Sequence, residues 1–246
     1  MDAIKQRADF QLYGHEEHAD HVLKENRSQH RSYLDARGKE LLEALSPEQR
    51  HTLRRTREAS QWLTVVPLAA DDCDLSAMQF HDALAIRYGL KPKGLPELCD
   101  GCGAHTDLNH ALNCKVGGQV KRGHDCISDC GSMAGLAWNG VAAEPVLREG
   151  DDRNPALIAD LVVPGAWHRE RLAFFDNRVI NADAASYARL EWPQVARNAE
   201  TQKHAKYDTA AEDMRASLTP LVCACGGSLG REFQRFYRQL ATFLAE

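Results

Sequence analysis

Four soft ligands stand within sixteen residues of one another: Cys99, Cys102, His110 and Cys114, spaced C-x2-C-x7-H-x3-C. Thiols and an imidazole this close in sequence either close around one ion or pack as a thiol cluster. Zinc favours four-coordinate shells of Cys and His, and a CxxC turn presents two of them from one loop. The His110-x3-Cys114 pair, one helical turn apart, presents the other two. His105 competes for a place, but Cys102-x2-His105 crowds the turn, so His110 is the expected ligand. Four protein ligands fill the shell, which predicts a structural Zn2+ rather than a catalytic one. Residues 96–118 are assigned to this zinc knuckle.

The eight cysteines of the chain read the same way. Met1-Asp2-Ala3-Ile4-Lys5 is polar and mixed in charge, without the pattern of a secretory signal. An intracellular location is therefore expected, where thiols serve as metal ligands or buried groups more often than as disulfides. No apolar run approaches the ~18 residues of a membrane helix, so no membrane partner is expected. The net charge of -5 argues against nucleic-acid binding by the whole surface and leaves room for local basic patches.

The chain before the knuckle is helical in pattern. Residues 1–45 are polar, with irregularly spaced apolar positions such as Ile4, Phe10, Val22, Leu34 and Leu41. Ser46-Pro47-Glu48-Gln49 predicts a helix start, with Ser as N-cap, Pro in the first turn and Gln closing a capping box. The helix carries Arg50, Arg54, Arg55 and Arg57, which serve either as phosphate contacts or as a solvated face. Ser76-Ala77-Met78-Gln79 predicts a second capping box, and Gly89 a helix end. Lys91-Pro92-Lys93-Gly94-Leu95-Pro96 reads as a linker. Residues 1–95 are assigned to a helical arm.

After the knuckle the period changes. A short helix carrying Ile127, Met133 and Leu136 precedes three apolar runs, Ala142–Leu147, Ala156–Val163 and Leu172–Ile180. A long polar helix is expected from Ala184 to Met214, with a break at Pro193 left open. A strand, Leu218–Cys225, and a final amphipathic helix with Phe233, Phe236, Tyr237, Leu240, Phe243 and Leu244 complete the order. The fold class is α/β (α+β): residues 119–246 form a mixed core in the order α-β-β-β-α-β-α.

Two acids break the apolar runs. Asp160 is the only charge in Leu157–Val163, and Asp176 interrupts Phe174–Ile180 with Arg178 on its face of the strand. A carboxylate in such a run must be paired, metal-bound or costly. Two acids on adjacent strands can hold a hard divalent cation through oxygen, with Glu144 as a third ligand. On the long helix Lys203 and Lys206 share a face. A lysine beside such a site stabilises charge on a phosphate or orients a water.

This order, with acids on the second and third strands, resembles the PD-(D/E)xK restriction-like nuclease fold. From about residue 50 onward the chain resembles the C-terminal part of non-LTR retrotransposon polyproteins, in which a CCHC zinc motif precedes a restriction-like endonuclease. The resemblance is carried by Cys99, Cys102, His110 and Cys114; by Gly123-His124-Asp125; by Glu144-Pro145; by Ala159-Asp160 in place of Pro-Asp; by Asp176; and by Lys203-x2-Lys206-Tyr207. It implies a divalent-metal-dependent DNA endonuclease, with Asp160, Asp176 and Glu144 on Mg2+ or Mn2+. Lys203, Lys206 and His124 would join the catalytic set. RNA remains an alternative substrate, and a nuclear location follows if chromosomal DNA is the target. Arg178 stands where many nucleases of the wider superfamily place lysine. Arginine stays protonated and cannot shuttle a proton, so activity would depend on Lys203 or Lys206. The competing expectations are a catalytically inactive, zinc-stabilised nucleic-acid-binding module and a purely structural protein.

Overall fold

The computed structural model describes residues 2–56, 59, 63, 74–116, 125, 133–152 and 154–245, and side chains within these except 2–20 and 22. The chain divides into two compact units, Met1–Arg50 and His51–Glu246. Among the described residues, no helix is long and apolar enough to cross a membrane.

The first unit is dominated by α1 (Asp2–Ala44), a single helix of 43 residues. Its described side chains are exposed, including Leu23, Leu34, Leu41 and Leu42. The irregular apolar spacing explains this, because no continuous stripe exists to bury. Helix α2 (Pro47–Arg55) starts as its sequence dictates. The Gln49 N–H donates to Ser46 Oγ at 3.2 Å, and the Ser46 N–H donates to Gln49 Oε1 at 3.0 Å.

The second unit includes the end of α2. Arg55 is 6% exposed, and its guanidinium donates to Asp183 Oδ1 at 2.7 Å, to Tyr187 O at 2.8 Å, and to the carbonyls of Ala182 and Leu190. The Ser228 hydroxyl donates to Arg55 O at 2.6 Å. Arg55 is therefore neither a phosphate contact nor part of a solvated face; it is a buried clamp. Helix α3 (Ala77–Arg87) carries the capping box of Ser76 and Gln79, and Gly89 follows it at φ 64°. The Arg87 guanidinium donates to Thr56 O at 3.0 Å. Helix α4 (Leu108–Asn113) belongs to the Cys/His segment, and α5 (Ala134–Ala137) precedes the strands.

Each of the first two apolar runs divides at its polar interruption. The first gives β1 (Ala142–Ala143) and β2 (Val146–Arg148), separated by Glu144-Pro145. The second gives β3 (Leu157–Ile158) and β4 (Leu161–Pro164), separated by Ala159-Asp160. The third stays whole as β5 (Leu172–Ile180). Helix α6 (Trp192–Asp213) starts at its proline rather than running from Ala184, because Pro193 fits a first turn and lacks the N–H an interior position needs. Strand β6 (Ser217–Ala224) and helix α7 (Arg231–Ala245) follow.

The main sheet has the order β1-β4-β5-β6, with β5 and β6 parallel and the other pairs antiparallel. The pair β2–β3 forms a separate two-stranded ladder. Alternation along β5 sorts the two faces. Phe174 packs with Tyr207 and Ala210 of α6 and with Val162 and Leu218. Phe175 packs with Phe236 and Leu240 of α7 and with Val163 and Leu221. One long helix thus covers each face of the mixed sheet, so that a core forms on both sides of it.

Candidate functional site

Two groups of chemistry-bearing side chains lie in the second unit. The first is the Cys/His cluster. Cys99 and Cys102 come from a turn in which the Gly103 N–H donates to Cys99 O at 2.8 Å and Gly103 takes φ 72°. His110 comes from α4, whose N-cap Asp107 accepts the His110 N–H, and Cys114 caps the far end of that helix. The ligand atoms of Cys99, Cys102, His110 and Cys114 all lie within 4.8 Å of one another. Cys114 Sγ lies 3.7 Å from Cys99 Sγ and 3.8 Å from Cys102 Sγ, and Cys102 Sγ lies 3.3 Å from His110 Nε2. Zinc–sulfur bonds of ~2.3 Å at tetrahedral angles set sulfurs about 3.8 Å apart, so the donor set fits a zinc ion. The Cys102 backbone N–H, the His110 ring and the Gly101 N–H lower the Cys99 thiol to about 6. His105 stays outside the cluster, exposed and pairing through its backbone with Leu98.

The second group gathers where the strand runs break. The Glu144 N–H donates to Asp160 O and the Asp160 N–H donates to Phe175 O, both at 3.0 Å. The Asp160 carboxylate turns onto the next strand, where its Oδ2 accepts the Asn177 N–H at 2.5 Å. Main chain and side chain of Asp160 therefore bracket Asp176 on β5. Asp176 is 4% exposed and points to the α6 side of the sheet, where the Lys203 ammonium donates to its Oδ2. A buried carboxylate needs such a partner, and the Lys203 ammonium supplies it.

Glu144 is exposed and holds φ 51° directly before Pro145. A non-glycine residue in the left-handed region costs on the order of 1–3 kcal/mol. The turn it makes re-aims the chain from β1 to β2 beside Asp160, where the Ala159 N–H donates to Pro145 O.

Lys206 takes a different path from Lys203. Its ammonium donates to the Tyr207 hydroxyl at 2.8 Å, and that hydroxyl donates to Ile158 O at 3.2 Å. Burial, a hydrogen bond with Asp176 and the charges of Asp176 and Asp160 push the Tyr207 pKa up, so the phenol keeps its proton. Tyr207 lies under both lysines, whose ammonium groups stand 5.8 Å (Lys203) and 4.4 Å (Lys206) from its ring centroid. Arg178, on the Asp176 face, donates to Gln202 Oε1 at 2.6 Å.

The fold thus brings together Asp160, Asp176 and Lys203, with Glu144 at the adjoining turn and Lys206 linked through Tyr207. His124 lies outside the described residues. The sequence reading gave no role to Tyr207, which joins the lysines to the strand backbone, although it directly follows Lys206. It also passed over His204, whose Nδ1 lies 2.9 Å from Asp208 Oδ1 and whose Nε2 lies 2.8 Å from Glu232 Oε1. The i,i+4 spacing to Asp208 was available in the sequence; the partner on α7 was not. Burial opposes protonation of His204, but its bonds to Asp208 and Glu232 outweigh this and its pKa is raised. Nearby Glu200 is 8% exposed and also raised, chiefly by burial, while its Oε1 accepts the Glu232 N–H at 3.3 Å.

Carboxylate oxygens such as those of Asp160, Asp176 and Glu144 are the ligand type that hard divalent cations take, but among the described residues the group of three or more ligand atoms that converges is the Cys3His cluster. The soft Cys3His shell suits zinc. No family model matches the sequence, and no curated protein does. Among solved structures there is a likeness to the one described as "Structure and function of the toscana virus cap snatching endonuclease", at 13% identity and a TM-score of 0.25. It covers 49% of this chain and 66% of that one, and a likeness this slight carries no argument about this protein.

Proposed function

We propose that the second unit is a divalent-metal-dependent DNA endonuclease of the PD-(D/E)xK type, derived from a retrotransposon polyprotein, with a structural zinc ion in the Cys3His cluster. The observation that carries the reading is the bracketing of Asp176 by Asp160, with Lys203 delivered to the same carboxylate from α6. Three elements distant in sequence converge on one small group of opposite charges. A merely structural ion pair would not require the second acid.

Asp160, Asp176 and Glu144 would hold Mg2+ or Mn2+, which when bound activates water and neutralises charge on the scissile phosphate. The protein's own groups have separable tasks. The Asn177 N–H fixes the Asp160 carboxylate. Lys203 pairs with Asp176 and, displaced from it, supplies a cation to a phosphate oxygen. Tyr207 retains its proton and positions Lys206 beside the strand break. Arg178, bonded to Gln202, contributes positive charge without proton transfer.

The test is nicking of supercoiled plasmid DNA by the full chain with Mg2+ or Mn2+. Wild type is expected to convert the plasmid, and Asp160→Ala to lose activity on the order of 100-fold. Cleavage undiminished in Asp160→Ala would overturn the site. The presence of Arg178 at the customary lysine position favours a second reading, a zinc-stabilised module that binds nucleic acid without cutting it. That reading predicts salt-sensitive binding and no cleavage with either ion.

A further inference from the structure

Helix α7 divides by face, although Tyr237, Phe243 and Leu244, expected on its apolar side, are also exposed. Phe233, Phe236 and Leu240 turn to the sheet, while Arg231, Arg235 and Arg238 fall at i, i+4 and i+7 and are exposed. Beside this helix runs the turn between β4 and β5. The two are fastened together by Gln239, whose side-chain amide donates to Ala166 O, and by the Arg235 guanidinium 4.3 Å over the Trp167 ring. The same turn carries exposed Arg169 and Arg171. Two shallow depressions mark the surface, one lined by Arg235, Arg238 and Thr242 and the other by Arg169 and Arg171. Among the described residues none of these five arginines forms an ion pair. Glu170 sits in the turn with them, and the Arg171 Nε–H donates to Arg215 O at 3.0 Å. Glu232, next to Arg231, is turned away to His204.

We propose that this arginine face of α7, with the adjoining turn, is a nucleic-acid backbone-binding surface separate from the carboxylate site. The chain is acidic overall, so a surface on which five arginines meet one acid, Glu170, is not a by-product of composition. All five cations are arginine, whose planar fork grips phosphate oxygens in pairs, whereas a lipid surface asks only for charge. From Arg231 to Arg238 the helix advances about 10 Å, a length over which a duplex carries about six phosphates. The surface belongs to the helix packed on the Phe175 side of the sheet, whereas Asp160, Asp176 and Lys203 gather on the Phe174 side. Nucleic acid held here is anchored independently of catalysis. The proposal deepens the nucleic-acid reading of the preceding section, but it does not need the carboxylates to be active.

The experiment measures binding of the full chain to a fluorescent DNA duplex of arbitrary sequence, by anisotropy, between about 50 and 200 mM salt, the range over which phosphate binding shows, without divalent ions. The triple variant Arg231→Gln, Arg235→Gln, Arg238→Gln is expected to bind at least about tenfold more weakly. Its slope of log affinity against log salt should fall by about 2–3, at ~0.9 for each phosphate no longer neutralised. Far-UV circular dichroism and Tm verify its fold, and Arg238→Glu alone, at an exposed position, gives the same direction if the triple variant misfolds. Unchanged affinity and slope in both arginine variants would overturn the proposal while leaving the nuclease reading standing. So would arginine-dependent cosedimentation with phosphatidylserine vesicles alongside unaltered DNA binding. Absence of plasmid cleavage by wild type with either Mg2+ or Mn2+, alongside arginine-dependent DNA binding, would do the reverse, removing the nuclease reading and leaving this surface in place.

Discussion

The Cys3His cluster and the carboxylate site are built by opposite strategies. The cluster draws all four donors from residues 99–114, positioned by one turn and one short helix. The carboxylate site takes Glu144, Asp160, Asp176 and Lys203 from three strand breaks or strands and a helix, so it exists only when the sheet has formed. A local site can fold around its own ion, because metal binding itself supplies the folding free energy. A non-local one depends on the core beneath it. Damage to the sheet should therefore remove the second while the first persists, and loss of zinc should do the converse.

The largest effect that would sharpen this contrast comes from Lys203. Lys203→Met leaves the Asp176 carboxylate buried without its ammonium, and the expected loss is about 3 kcal/mol of stability, measured by urea unfolding. Adding Asp176→Leu should restore most of that stability while leaving plasmid nicking absent. Restored activity in the double variant would show that the pair is scaffold alone. Next in size, Cys102→Ser should reduce zinc from about one ion per chain, as the four-ligand shell requires, to a substoichiometric level. Its thermal transition should remain cooperative, and a collapse of the whole transition would break the contrast, since the sheet would then depend on the cluster.

A smaller effect concerns pH. His204 and Glu200 both have raised pKa values, so the folded state holds these protons more tightly than the unfolded chain. The His204 contribution is complete below its ordinary value of 6.5 and fades as pH rises through the raised folded value. The Tm difference between wild type and His204→Gln should accordingly be largest in mildly acidic solution and shrink on the alkaline side. A difference that grows with pH would contradict the assignment. The smallest effect is expected from Arg178→Lys, within a few-fold of wild-type nicking if Lys203 is the working cation. A tenfold gain would move that role onto the strand.

Much of this architecture was legible in the residues. The capping boxes at Ser46 and Ser76 identified two helix starts because their hydrogen bonds are local. The element order came from periodicity, and the Cys/His spacing needed nothing beyond itself. Illegible were the features that depend on what faces what. Glu144-Pro145 and Ala159-Asp160 split their strands because each breaks its ladder against the other, which shows only once the two runs are paired. Arg55 looked like its neighbours Arg50 and Arg54, yet its carbonyl partners lie well over a hundred residues away. The fork of His204 between two helices was hidden for the same reason.

That buried arginine bears on how such a chain could be shuffled in evolution. A segment cut just before the Cys/His cluster would carry every proposed catalytic group and all four residues of the cluster, yet it would leave Arg55 behind. The carbonyls of Ala182, Tyr187 and Leu190 and the carboxylate of Asp183 would lose their shared donor, and Ser228 its acceptor. The smallest portable cassette thus begins at α2. Selection for transfer between host proteins would have to move that helix together with a core to which it does not look related.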